Sequence, residues 1–114
     1  MANENVDRSV LRALKESVGE DYIGVMLETF FEETSQLMTD LQKSLSANDA
    51  EAFRRAAHSM KSNAATFGAT RLSELAKELE AIARAGTLSE VGDRLGVLEE
   101  ALTSASREIR EFAA

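Results

Sequence analysis

One histidine, no cysteine and no proline stand in a chain of 114 residues. That narrows the chemistry its side chains can do. Without cysteine there is no disulfide, no thiolate nucleophile and no cysteine metal site. One histidine cannot pair with a second histidine or a thiol. A di-iron carboxylate bundle needs two Glu-x-x-His units, and the residue three before His58 is Arg55. No GxGxxG or P-loop pattern is present. What remains is His58 itself. An imidazole in water titrates at about 6.5, so at neutral pH one ring nitrogen mostly carries a lone pair. Such a nitrogen can attack a phosphoryl donor. The adduct must then be reached by a second protein, so the ring has to stand at the surface.

The neighbours of His58 suit that chemistry. Lys61 lies three residues on, hence next to it on a helix. A phosphoryl group brings about −1.5 to −2 charges if it ionises as phosphoserine does. Lys61 can offset part of that, and Arg54 or Arg55 could help from the preceding turn. Solvated pairs of this kind are weak, so His58 is the indispensable residue and Lys61 the helper. Ser59, Ser62 and Ala65 are small and would let a partner surface come close. The plainer alternative for His58 is an ordinary surface residue, and for each charged residue a solvated helix face.

These residues need a helix to hold them, and the apolar pattern supplies five. The first runs from about Asp7 to Val18, with Val10, Leu11, Leu14 and Val18 as its stripe and Gly19 as its stop. The second runs from about Glu20 to Ala47. Ile23, Met26, Phe30, Leu37, Leu41 and Leu45 recur at helical spacing, widened by Leu27 and Met38. Asn48 as N-cap with Glu51 three residues later resembles a capping box. The third helix spans about Asp49 to Phe67 and stops at Gly68, and the fourth spans about Ala69 to Ala85, with Leu72, Leu75, Leu79 and Ile82 inward. Thr87 and Glu90 make a second capping box for a fifth helix from about Leu88 towards Phe112. Its stripe is Leu88, Val91, Leu95, Leu98, Leu102, Ala105, Ile109 and Phe112. Short breaks force neighbours to run antiparallel. The expectation is an all-α, up-down-up-down four-helix bundle with an additional short N-terminal helix over one end or side.

On the third helix, at about 100° per residue, Phe53, Ala56, Ala57, Met60, Ala64 and Phe67 fall in one arc, the predicted buried face. His58 lies roughly 150° from its centre on the same geometry, with Arg55, Ser62 and Ala65 on its side and Lys61 on the flank.

Composition agrees with one globular, helical domain over residues 1–114. The chain is 44% hydrophobic and 29% charged, and it has no tryptophan. The net charge of −7 argues against nucleic acid, and there is no basic stripe with interleaved aromatics. No apolar run approaches the roughly 18 residues of a membrane span. Met1-Ala2-Asn3-Glu4-Asn5 is polar and lacks a basic start, so the expectation is a cytoplasmic chain without a signal peptide. Met1 favours a free-standing protein over a piece of a longer kinase.

The run His58-Ser59-Met60-Lys61-Ser62-Asn63-Ala64-Ala65-Thr66-Phe67-Gly68-Ala69 resembles the motif H-x-L-K-G-S-x-x-x-x-G-A of the histidine-containing phosphotransfer (HPt) domain family. Arg54-Arg55-Ala56-Ala57 upstream and Leu72, Leu75, Leu79 and Glu80 downstream also look like that family. Met60 stands for the usual leucine. Ser62 stands where the family often has glycine, which tightens the approach of a partner but offers a hydroxyl. The resemblance implies that His58 is the phosphoacceptor, that Lys61 supports the phosphoryl charge and that Gly68 closes the motif. It also implies that Glu80, at the position where the family often has Gln or Glu, orients the imidazole by accepting from Nδ1–H. Arg54, Arg55, Ser59, Ser62 and Ala65 would face partners. Those partners would be receiver domains of response regulators and hybrid sensor histidine kinases. The catalytic aspartate and Mg²⁺ belong to the receiver, so the chain would need no metal or cofactor and would be a monomeric carrier, not an enzyme. Two other readings stay open: an acceptor labelled directly by an ATP-dependent kinase, and a helical adaptor that is never phosphorylated.

Overall fold

The computed structural model describes residues 5–113. Met1–Glu4 and Ala114 lie outside the described residues, and so do most of the polar start, the Met1 reading and both ends of the single-domain expectation.

Five α-helices follow one another: α1 Arg8–Val18, α2 Glu20–Ser46, α3 Ala50–Thr66, α4 Thr70–Arg84 and α5 Arg94–Ala113, with one 3₁₀ turn at Leu88–Glu90. Among the described residues there is no strand. Helices α2 to α5 each pack on the next, and α2 also meets α5, which closes the four into a bundle. The α3–α4 pairing is the most extensive. Helix α2 has 27 residues. At a rise of about 1.5 Å per residue it is roughly 40 Å long. The long axis of the molecule is 42 Å, so this helix sets it. Among the described residues no helix is long and apolar enough to cross a membrane.

The buried face of α3 is the predicted one: Phe53, Ala56, Ala57, Met60, Ala64 and Phe67 are all buried. On α2 the stripe is rotated from its predicted axis. Leu27 and Met38 lie at its centre with Ile23, Phe30 and Leu41, while Met26, Leu37 and Leu45 are only partly covered. Thr34 and Ser44 complete the buried line. The Thr34 hydroxyl donates back to the Phe30 carbonyl at 2.7 Å. The Ser44 hydroxyl donates back to the Asp40 carbonyl at 2.8 Å. Burial therefore leaves neither donor unmatched. On α4, Leu72 and Leu79 are buried with Ala76 and Ala83, whereas Leu75 and Ile82 sit at the edge.

Two capping expectations are corrected. Asn48 does not cap α3. It takes φ +56° to close the turn. Asp49 is the cap, its carboxylate accepting from the Ala52 N–H at 3.1 Å, as a good N-cap residue does. Thr87 does not begin a continuous fifth helix either. Its hydroxyl donates back to the Ile82 carbonyl at 3.2 Å. The 3₁₀ turn buries Leu88, and α5 starts only at Arg94, after Gly92 at φ +51°. Leu88 and Val91 reach the core from this separate turn, so the predicted stripe is real although the helix under it is broken.

Helix α1 packs on α2 through Leu11, and its start is tied to the α3–α4 turn. The Gly68 carbonyl accepts the Asp7 N–H at 2.7 Å. A Cβ on Gly68 would lie 2.7 Å from the Asp7 carbonyl oxygen and 2.9 Å from Val10 Cβ, and φ there is +74°. Space and backbone both demand glycine.

Candidate functional site

The alternation on α3 buries Ala57 completely and leaves the His58 side chain 55% exposed. Ser59, Ser62 and Ala65 are exposed beside it, and Arg55 stands one turn earlier. The sequence pattern thus places all five on the outer face of one helix.

Helix α4 brings the second half of the site. Buried alanines at 57 and 64 on α3 and at 76 and 83 on α4 allow these antiparallel helices to approach closely. The Ser73 hydroxyl donates to the Lys61 carbonyl at 3.1 Å and marks their register. One turn after Ala76, Glu80 falls on the inward edge of α4, level with His58, and is buried. It is therefore not an exposed helix glutamate.

Its carboxylate has three donors. Oε1 accepts from Lys61 Nζ at 2.8 Å. Oε2 accepts from His58 Nδ1 at 2.9 Å and from an Arg84 guanidinium nitrogen at 3.0 Å. The hydrogen bond from Lys61 is the main reason its pKa is held down at about 2, against the opposing effect of burial and with further help from His58. Donors to the charged form favour that form. An ionised carboxylate only accepts. Nδ1 must then carry the hydrogen, and in the neutral ring Nε2 keeps the lone pair.

The remaining charged residues have partners that the sequence did not show. Lys61 Nζ is paired with Glu80. Arg54 makes two hydrogen bonds to Glu51, at 3.1 and 2.7 Å, and Arg55 lies 3.5 Å from the same carboxylate. Arg84 is a site residue that the motif does not reveal. Its spacing of four from Glu80 is the signal that could have found it, because such pairs meet on a helix. Tyr22 and Val25 on α2, both 56% exposed, also escape the sequence pattern. With Met26, Asn63, Thr66 and Phe67 they line a groove of about 260 Å³ between α2 and α3. Among the described residues no cluster of three or more histidine or carboxylate side chains could hold a metal ion.

Comparison with known proteins places this arrangement. The model of the Hpt domain family matches residues 25–108. The phosphorelay protein LuxU of Vibrio cholerae is 27% identical over 88 residues, 77% of this chain and 78% of LuxU. LuxU of Vibrio harveyi is 28% identical over 92 residues, 81% of each. The crystal structure of histidine-containing phosphotransfer protein B from Pseudomonas aeruginosa PAO1 superposes with a TM-score of 0.91 at 31% identity, covering 97% of this chain and 96% of that one. The family match spans most of the bundle, including His58, Lys61, Glu80 and Arg84, and the chain belongs to the Hpt domain family.

Proposed function

We propose that this chain is a phosphorelay intermediate whose acceptor atom is Nε2 of His58, taking a phosphoryl group from the aspartate of one receiver domain and yielding it to another. The observation that carries the reading is the 2.9 Å contact from Nδ1 to a buried, ionised carboxylate on a ring that is otherwise half in solvent. Glu80 fixes the tautomer and orientation, and Lys61 keeps Glu80 ionised. The chain supplies alignment and a nucleophile, and the receiver supplies its own catalytic groups and metal.

Arg55, Ser59, Ser62 and Ala65 form the surface on which a receiver would rest, with Arg54 at its margin. Phosphoryl groups would enter the relay through hybrid sensor kinases. On the same reading residues 1–114 are one cytoplasmic, monomeric domain that carries the group and catalyses nothing alone.

The test uses a phosphorylated receiver as donor. Wild-type chain should gain acid-labile, base-stable phosphate, and His58→Gln should gain none while keeping its helical fold, because an amide is not a nucleophile. Labelling of His58→Gln at the wild-type level would end the proposal. Replacing Ala65 with tryptophan should impair transfer with the fold intact. Unchanged transfer would move the docking surface elsewhere. If binding of partners survives in His58→Gln together with signalling, the adaptor reading replaces this one.

A further inference from the structure

Glu80 meets more positive charge than it can cancel. Lys61 takes Oε1 at 2.8 Å, and Arg84 shares Oε2 with the imidazole at 3.0 Å. One ionised carboxylate, one ammonium and one guanidinium leave a single positive charge over, next to the ring. Lys61 is 31% exposed and Arg84 65%, so the surplus lies at the surface, on Arg84. It does so in a chain of net charge −7.

We infer that Arg84 is the phosphoryl-binding cation of this site, sharing Oε2 with the imidazole before transfer and passing to the phosphoryl oxygens after it. The inference rests on His58 being the acceptor. In the transfer step Nε2 gives its lone pair to phosphorus. The bond from phosphorus to the donor's aspartyl oxygen breaks, and its electron pair leaves with the carboxylate. No proton is lost. Nδ1 keeps its hydrogen, and the ring becomes an imidazolium that bears the phosphoryl group. That new positive charge strengthens the hold of the ring on Oε2. At the same moment an anion with three acceptor oxygens arises on a ring that shares Oε2 with an exposed guanidinium. A planar guanidinium donates to two such oxygens at once, which an ammonium does not do in fixed geometry.

Arg55 is the competing candidate, because Glu51 likewise faces two cations and holds Arg55 only at 3.5 Å. Its carboxylate partner does not touch the imidazole, however. Only Arg84 is joined to the ring through a shared oxygen, so only Arg84 is released by the charge change of the ring itself.

The test phosphorylates His58 with phosphoramidate, which needs no receiver, and follows the reaction by ³¹P NMR. Arg84→Ala should react roughly two- to fivefold more slowly than wild type, the upper range of one solvated charge contact. Arg84→Lys should recover part of the rate, and Arg55→Ala should lose less than Arg84→Ala. Circular dichroism should show all three folded, since both arginines are largely exposed. In ¹⁵N-arginine-labelled wild type, the Arg84 side-chain resonance should shift on phosphorylation, a signature that a merely structural residue would not give. The inference is overturned if Arg84→Ala reacts at the wild-type rate, if Arg55→Ala loses more than Arg84→Ala, or if the Arg84 resonance stays put while His58 becomes labelled. A wild-type chain that phosphoramidate leaves unlabelled at His58 would remove the acceptor reading as well.

Discussion

Glu51 and Glu80 each face two cationic side chains, yet they do different work. Glu51 lies on the outer face of α3, two turns before His58, and its side chain is 60% exposed. Arg54 and Arg55 reach it along their own helix, and the hydrogen bond from Arg54 lowers its pKa. Glu80 comes from another helix and is 4% exposed. It binds the ring, a lysine from α3 and an arginine from α4. The charges are alike, and what separates the pairs is the solvent. Around Glu51 water can replace any partner, so the geometry is not enforced. Glu80 itself is shut off from water, so it depends on protein donors and the ring is held in one orientation. Orientation of a nucleophile is a property that a buried carboxylate can impart and a solvated one cannot.

The contrast can be broken most severely at Glu80. Glu80→Ala should lower the unfolding free energy by about 1–3 kcal/mol, less than for a fully enclosed pair because Lys61 and Arg84 can turn to water. It should also slow phosphoryl transfer by roughly tenfold or more, through loss of ring alignment. Urea unfolding and a transfer assay on the same preparation check both, and wild-type transfer in this variant would show that the ring needs no orienter.

A smaller effect is expected at Lys61. Lys61→Ala should slow transfer several-fold, on the order of the 1 kcal/mol that a partly exposed ion pair contributes, without ending it. A variant as inert as His58→Gln would mean that Lys61 contacts the phosphoryl group during transfer and does not act only through Glu80.

Acid sharpens the comparison further. The Glu80 pKa is depressed in the folded protein to about 2 from an ordinary 4.5. Its contribution to stability is therefore complete above about pH 4.5 and fades as the pH falls towards about 2. Glu80→Gln cannot titrate, so its urea midpoint should decline less than that of wild type across this window. Parallel declines would show that Glu80 is ordinarily basic in the folded chain. The smallest effect belongs to Glu51→Ala, which should leave both the urea midpoint and the transfer rate at wild-type values. A marked loss of transfer would place the Arg54–Arg55 pair in the chemistry after all.

Period and punctuation make the helices legible in the sequence. Phe53, Ala56, Ala57, Met60, Ala64 and Phe67 declare the inner face of α3 by spacing alone, and that fixes the outward direction of His58. Helix ends are less legible. Asn48 and Asp49 are both good caps by type, and only the left-handed turn at Asn48 decides between them. The break before α5 is hidden because Leu88 and Val91 continue the apolar rhythm across a change of backbone. Thr34 and Ser44 escape an apolar pattern because they are polar, and the carbonyls that satisfy their hydroxyls are visible only once the helix is built.

By itself, then, the sequence determined that the protein is helical and that its one histidine, His58, faces outward, because these follow from residue type and a local repeat of about 3.6 residues. The tertiary structure alone decided that Glu80 is buried and that Lys61 and His58 reach it from α3 across the helix interface. Those facts depend on the register and separation of α3 and α4, which are set by the packing of buried alanines and leucines from both helices at once.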